Sequence, residues 1–277
     1  MKTYDIHMHL IPQVDDGCFN EDMAVSMIYM TYLEKIEKVI CTPHNYAFDN
    51  NSEEVKVHFE KLKEWCKQRC PFLSLFLGCE IYCRPKEDRM NEILERIKNG
   101  TYPTMNGTNY VLVEFSTKST FEEIDYCLTR IEKTGFMPII AHIERYNALF
   151  QEGESLHKNC LTEKEAVLDN CNLKVDETLK EAMPIKTVKE RFTEWKKRGY
   201  LFQMNGDSLM EVGNKEIYEN AIYLLEHRLI DFLGTDAHRT NNRPPDIKDA
   251  VEKLYQEVEK DYVDAIAYQN AERILGI

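Results

Sequence analysis

Seven short runs of aliphatic, β-branched and aromatic residues recur along this chain, and nearly all of them end on a metal-ligating type of side chain. The runs are Thr3–His9, Lys38–His44, Leu75–Glu80, Tyr110–Glu114, Pro138–His142, Tyr200–Asn205 and Asp231–Asp236. A short, nearly continuous apolar run is the pattern of a strand covered on both faces. Amphipathic helical patterns lie between the runs. Val55, Phe59, Leu62 and Cys66 fall at helical spacing behind Ser52, the expected N-cap. Met90, Ile93, Leu94 and Ile97 lead into Gly100. Ser119 and Thr120 each have a glutamate three residues on, a capping-box signature, and the helix they open stops at Gly135. Val188, Phe192 and Trp195 stop at Gly199 in the same way. Strands alternating with helices imply parallel βα units, hence a barrel or a doubly wound sheet.

The runs are evenly spaced except between His142 and Tyr200, where the gap is about twice the usual one. The excess, about 150–186, is polar and holds His157, Cys160 and Cys171. It reads as an inserted segment on one domain, 1–277, because no Pro/Gly/Ser linker divides the chain. The first residues lack the apolar core of a signal peptide, and no stretch reaches 18 apolar residues. A cytoplasmic protein without membrane insertion is expected. The nine cysteines are irregularly spaced and lack a zinc-type pair, so reduced thiols are expected.

The chemistry is carried by the run ends. The first run ends in His7-Met8-His9, the second in His44, the third in Glu80, the fourth in Glu114 and the fifth in His142. The last is followed by Asp236-Ala237-His238, and Asp16 lies in the loop after the first. In parallel α/β barrels the site lies at the carboxyl ends of the strands, so these residues would share one rim, with Asn205 offered by the sixth run. The two-residue period of a strand puts His7 and His9 on one face. Five imidazoles and four carboxylates exceed what one ion takes, and suit two or three divalent ions sharing a carboxylate. Ligation by N and O without thiolate favours Mn²⁺, Fe²⁺ or Zn²⁺, and clustered dications are the equipment of a phosphoesterase. Arg145 and Arg243, three and five residues beyond ligand-type histidines, would lie over the rim and offer guanidinium forks to a phosphate. His58, His157 and His227 sit in helical or inserted segments and read as surface or packing residues.

Asp5-Ile6-His7-Met8-His9, Val14-Asp15-Asp16-Gly17, Cys41-Thr42-Pro43-His44, Ala141-His142-Ile143-Glu144-Arg145-Tyr146 and Asp236-Ala237-His238 with Arg243-Pro244-Pro245 resemble the PHP (polymerase and histidinol phosphatase) superfamily. More narrowly, they resemble its metal-dependent bacterial protein-tyrosine phosphatases of capsule and exopolysaccharide regulation. The resemblance covers about 1–150 and 187–277. It implies a distorted (β/α)7 TIM-like barrel and a three-metal site, usually manganese. The implied ligands are His7, His9, Asp16, His44, Glu80, Glu114, His142, Asp236 and His238, with Glu80 bridging. Arg145 and Arg243 are the implied substrate-binding arginines. The implied reaction is hydrolysis of a protein phosphotyrosine by a metal-bridging hydroxide, with the Tyr-rich tail of a bacterial tyrosine kinase as the partner. The Gln13 position, often glycine in the family, and the 150–186 segment depart from its pattern.

Four other readings compete. A Cys-x5-Arg phosphatase loop matches Cys83 to Arg89, but Glu87 and Asp88 oppose a thiolate there. An amidohydrolase would place a lysine where the third run has Glu80. A histidinol-phosphate or other small-molecule phosphatase is the nearest alternative. A metal-free regulatory module would be expected to have lost ligand positions, and all nine are filled. The 48 acidic against 35 basic residues, a formal charge of -13, argue against a nucleic-acid partner. They do not exclude a phosphate, because bound dications and two arginines would form a local positive well.

Overall fold

The computed structural model describes residues 1–151, 187–210 and 213–277. The expected insertion therefore lies, from residue 152 on, outside the described residues, together with His157, Cys160 and Cys171. The strands are β1 (Thr3–Met8), β2 (Ile36–Cys41), β3 (Ser74–Leu77), β4 (Glu80–Tyr82), β5 (Tyr110–Glu114), β6 (Met137–Ile140), β7 (Leu201–Asn205) and β8 (Phe232–Gly234). Helices α1 (Glu21–Leu33), α2 (Asn45–Arg69), α3 (Glu87–Lys98), α4 (Phe121–Glu132), α5 (Val188–Lys197), α6 (Lys215–Glu226) and α7 (Lys248–Glu257) alternate with them. Every strand pairing is parallel, as the alternation predicts.

The third apolar run is not one strand. It breaks at Gly78-Cys79 into β3 and β4, which belong to different sheets. A side chain at Gly78 would lie 2.9 Å from Met105 Sδ and 3.0 Å from Ile40 Cγ2, so the backbone there runs against its neighbours. The result is two parallel sheets, β1-β2-β3 and β4-β5-β6-β7-β8. They are joined by isolated parallel bridges, Met8 to Ala237 and His44 to Glu80. One seam is reinforced by Asp236 N–H donating to His7 O at 2.7 Å and His9 N–H donating to Ala237 O at 2.8 Å. The expected barrel of seven strands is thus, among the described residues, eight strands in two sheets that meet edge to edge.

Helix signals hold with one shift. Thr120 and Glu123 form the expected capping box, and Gly135 and Gly199 follow their helices at φ 90° and 85°. In α2 the helical path is interrupted at Asn51, whose Oδ1 accepts from Glu54 N. Asn51 therefore does the capping expected of Ser52. The helices pack their apolar faces onto the sheets; Trp195 is fully buried, stacks on Phe121 at 5.1 Å, and donates Nε1–H to Asp125 at 2.7 Å. A smaller cluster of Tyr4, Ile6, Leu112, Ile139 and Phe232 is covered by the C-terminal Leu275 and Ile277. All seven described cysteines are free thiols.

Candidate metal centre

The strand ends bring all nine ligand-type residues into one cluster. His7 is the penultimate residue of β1 and His9 directly follows the strand, both fully buried, with ring centroids 5.5 Å apart. Glu80 opens β4 at the centre of the cluster. Its carboxylate lies 3.1 Å from His7 Nε2, 3.2 Å from His9 Nε2, 3.0 Å from His44 Nδ1 and 3.2 Å from His142 Nε2. Three overlapping groups each keep their ligand atoms within 4.8 Å of one another: His9, Asp16, His44 and His238; His7, His9, Glu80 and Asp236; His44, Glu80 and Glu114. His142 joins through Glu80 and through Glu114, 3.7 Å away.

The residues fit a cluster of divalent ions. His7 Nε2, His9 Nε2, Glu80 Oε2 and Asp236 Oδ1 are buried without a hydrogen-bond partner among the described residues. They nevertheless crowd together, with Asp236 Oδ1 lying 3.5 Å from His7 Nε2 and 3.6 Å from His9 Nε2. Atoms this close, yet not aligned to bond each other, are arranged as ligands around a common centre. Bonds of about 2.1 Å in octahedral or tetrahedral geometry put neighbouring ligands roughly 3.0–3.4 Å apart. Four buried unpartnered polar atoms in one place would otherwise cost several kcal/mol.

A second layer fixes the imidazoles. His9 Nδ1 pairs with Asp15 at 2.7 Å, His7 Nδ1 with Gln203 at 3.1 Å, and His238 Nδ1 with Asp236 O at 2.8 Å. Each ring thereby turns Nε2 inward, the usual arrangement of metal-ligating histidines. Sequence reasoning missed Asp15, Gln203 and Asp5. Burial pushes the Asp15 carboxyl up, but His9 and the N–H groups of Gly17 and His44 overcome it and hold it down to about 2. Gln203 Oε1 also accepts from His142 N at 2.8 Å. A side chain at Gly17 would meet His9 Cβ at 2.5 Å, so the loop carrying Asp15 and Asp16 closes on the site only because that residue is glycine. The signal for Asp5 and Gln203 was a polar residue inside an otherwise apolar run, which is buried at a cost unless it bonds something specific.

The carboxylates oppose one another. Burial, followed by the Glu80 charge, pushes Glu114 up to about 7, whereas His7, His142 and His44 hold Glu80 well below the usual range despite its burial. Burial, His9 and Arg243 push His238 down to about 4. His142 (φ 33°), Asp236 (φ 54°) and Arg243 (φ 59°) adopt left-handed backbone, a strain that clusters at functional sites.

Arg145 and Arg243 lie at this site, but their partner was not foreseen. Arg145 Nη1–H donates to Asp236 Oδ2 at 2.9 Å, and Arg243 forms an ion pair with the same oxygen. A guanidinium carries five N–H donors, so both retain donors for another anion. Asn205 reaches Asp236 only weakly, at 3.5 Å. Arg239, not singled out by sequence, donates to Asp16 O at 2.9 Å and covers the exposed Phe19 ring at 3.9 Å. Tyr46 stacks on His44 at 5.3 Å and bonds Asp16 through its hydroxyl.

The competing loop Cys83–Arg89 is not a phosphate cradle. Cys83 is buried, its thiol donates to Ile81 O, and burial pushes its pKa well up, away from thiolate. His58 bonds Pro12 O and His227 bonds Tyr223 O, in keeping with packing and surface roles.

The family described as capsular polysaccharide synthesis, CpsB/CapC, matches residues 3–165 and 183–276. The chain belongs to the CpsB/CapC family. That membership bears out the resemblance drawn from the motifs. Among CpsB/CapC relatives, the tyrosine-protein phosphatase CpsB of Streptococcus agalactiae is 26% identical over 273 residues, 98% of this chain and 97% of that protein. The tyrosine-protein phosphatase YwqE of Bacillus subtilis is 25% identical over 277 residues, 98% of this chain and 91% of that protein. A structure solved in work on YwqE and Streptococcus pneumoniae CpsB, described as metal-dependent tyrosine phosphatases, superposes with a TM-score of 0.73 at 21% identity. It covers 99% of this chain and 94% of that one. A β-aspartyl dipeptidase from Fervidobacterium islandicum shares the fold more distantly, with a TM-score of 0.55 at 13% identity over 98% of this chain and 72% of that one.

Proposed function

We propose that this CpsB/CapC protein is a metal-dependent protein-tyrosine phosphatase. The observation that carries the reading is the cluster around Glu80, where three ligand groups overlap and four buried imidazole and carboxylate atoms, of His7, His9, Glu80 and Asp236, converge unpartnered. The two sheets and their bridged seams are read as a distorted TIM-like barrel of one domain. His7, His9, Asp16, His44, Glu80, Glu114, His142, Asp236 and His238 would hold two or three divalent ions, with manganese the first choice. When bound, such ions lower the pKa of a water that serves as nucleophile and neutralise charge on the phosphoryl group.

The chain's own residues do the rest. Asp236 holds the Arg145 and Arg243 guanidinium groups together at the edge of the cluster. Their remaining N–H donors bind the oxygens of the phosphoryl group that do not leave, and orient it for in-line attack. Asp15 and Gln203 keep the His9 and His7 rings in the tautomer that leaves Nε2 free. Tyrosinate, with a free pKa of about 10, leaves with little protonation, so no buried general acid is required. The tail of a capsule-regulating tyrosine kinase is the proposed substrate. Among the described residues no helix is long and apolar enough to cross a membrane, and we place the reaction in the cytoplasm.

Turnover of phosphotyrosine, phosphoserine and histidinol phosphate, with and without Mn²⁺, tests this reading. Phosphotyrosine hydrolysis that needs Mn²⁺ and is lost with a chelator is the expected result. Preference for histidinol phosphate would replace it with a small-molecule phosphatase. Arg243→Ala is expected to keep its metal content and lose about 10- to 100-fold in kcat/KM, the worth of charged hydrogen bonds to one phosphate. Unchanged kinetics would remove Arg243 from substrate binding.

A further inference from the structure

A groove of about 420 Å³ leads away from the metal cluster. It is lined by His44 and Glu114 at the cluster end, by Tyr46 and Tyr82, and by Arg84 and Arg89 further out. Tyr46, 43% exposed, stacks on His44. Tyr82 lies two residues after Glu80 on β4, so it points to the same face of that strand. The Arg84 guanidinium lies 5.4 Å above the Tyr82 ring.

The charges in the groove are unevenly satisfied. Glu92 pairs with Arg89 at 3.0 Å and with Arg96 at 3.1 Å. Asp49 pairs with Arg96 at 3.0 Å and accepts from the Tyr102 hydroxyl at 2.6 Å. Arg84 is exposed, and among the described residues no carboxylate pairs with it. In a chain of formal charge -13, an unneutralised cation over an aromatic ring beside the proposed phosphate site is poised for an incoming anion. The same segment supplied the Cys83-to-Arg89 spacing that no thiol chemistry uses; its arginines line this groove instead.

We propose that the groove receives the peptide on one side of the phosphotyrosine, and that Arg84 selects an acidic side chain there. The inference rests on the reading of the site as a tyrosine phosphatase. The phosphotyrosine ring packs against Tyr46 with its phosphate at the cluster. From Glu80 to Arg84 the backbone spans about 13 Å at most. A phosphotyrosine side chain covers roughly half of that and an extended peptide adds about 3.4 Å per residue. An Asp or Glu one or two positions from the phosphotyrosine therefore reaches the guanidinium.

The test uses full-length, Mn²⁺-loaded protein and phosphotyrosine peptides differing only in Glu, Gln or Lys at the flanking positions. Wild type is expected to prefer Glu over Gln by about threefold and Glu over Lys by about tenfold in kcat/KM, the scale of solvent-exposed ion pairs. The preference should shrink with added salt. Arg84→Gln should bring the ratios near one, and Arg84→Glu should reverse them, with metal content and circular dichroism matching wild type. A wild-type ratio within 1.5-fold, or a preference that survives Arg84→Glu, overturns the assignment of Arg84. Failure of metal-loaded wild type to hydrolyse any of the phosphotyrosine peptides would instead overturn the phosphatase reading beneath it.

Discussion

Glu80→Gln is expected to lower kcat/KM by about 10³-fold or more and to strip the protein of most of its bound divalent metal. The change keeps the size of the side chain, so its effect isolates the charge. Glu80 is buried and faces four imidazoles at 3.0–3.2 Å, and it belongs to two of the three ligand groups. An amide offers one neutral oxygen and turns an NH₂ toward imidazole nitrogens that a metal would need. Loss of a shared carboxylate removes several kcal/mol of charge stabilisation at the reacting group. Two measurements check it together. Metal analysis should show the variant depleted. A thermal melt should show wild type gaining stability with Mn²⁺, by about 2.7 kcal/mol at a hundredfold excess over Kd, while the variant gains little. A variant that retains full metal and activity would remove Glu80 from the residues proposed to hold the metal.

Asp5→Ala should be the most damaging single change outside the cluster itself. Asp5 is fully buried and accepts from His7 N at 2.9 Å, Thr235 N at 3.0 Å and Thr235 Oγ1 at 2.5 Å. It therefore ties the end of β1 to the end of β8, one residue before Asp236 and two before His7. Alanine leaves three buried donors facing an empty space. The expected loss is about 3–5 kcal/mol, or roughly 10 °C in Tm for a chain of this size. Asp5→Asn retains one acceptor oxygen and should fall between the two. A shift of under about 2 °C for the alanine variant would show that water or a rearranged Thr235 replaces the carboxylate.

The positions of the nine ligand-type residues were legible because a parallel sheet points all its carboxyl ends the same way. One period-two pair, His7 and His9, is enough to establish which face of β1 turns inward. What the sequence could not show was how those residues are held. Asp15 beside Asp16 reads as one acidic doublet, yet in the structure Asp15 is buried against His9 while Asp16 stays exposed beside Tyr46 and His44. The two differ only in how the loop folds over Gly17. The arginines show the same division. Their place at the rim followed from their distance past His142 and His238, but their convergence on a single Asp236 oxygen depends on two loops meeting in space. The break at Gly78 leaves no mark in the run itself, because the residues that flank it, Leu77 and Cys79, are both apolar. The neighbours that forbid a side chain there, Met105 and Ile40, are distant in sequence.

The edges where the two sheets meet give the ligand set a mechanical role. Backbone bridges join the sheets at Met8 to Ala237 and at His44 to Glu80. At the first seam His7 and His9 stand on one side, Asp236 and His238 on the other; at the second, His44 faces Glu80. An ion bound across either seam is therefore a rivet between halves that the hydrogen-bond ladder stitches only lightly. Amides of His9, Asp236 and Glu80 should exchange with deuterium more slowly once the protein is metal-loaded, while amides in the middle of β5 and β6 change little. Filling the site and stiffening the scaffold would then be one event, and a substrate would meet a rigid rim only after the rivets are in.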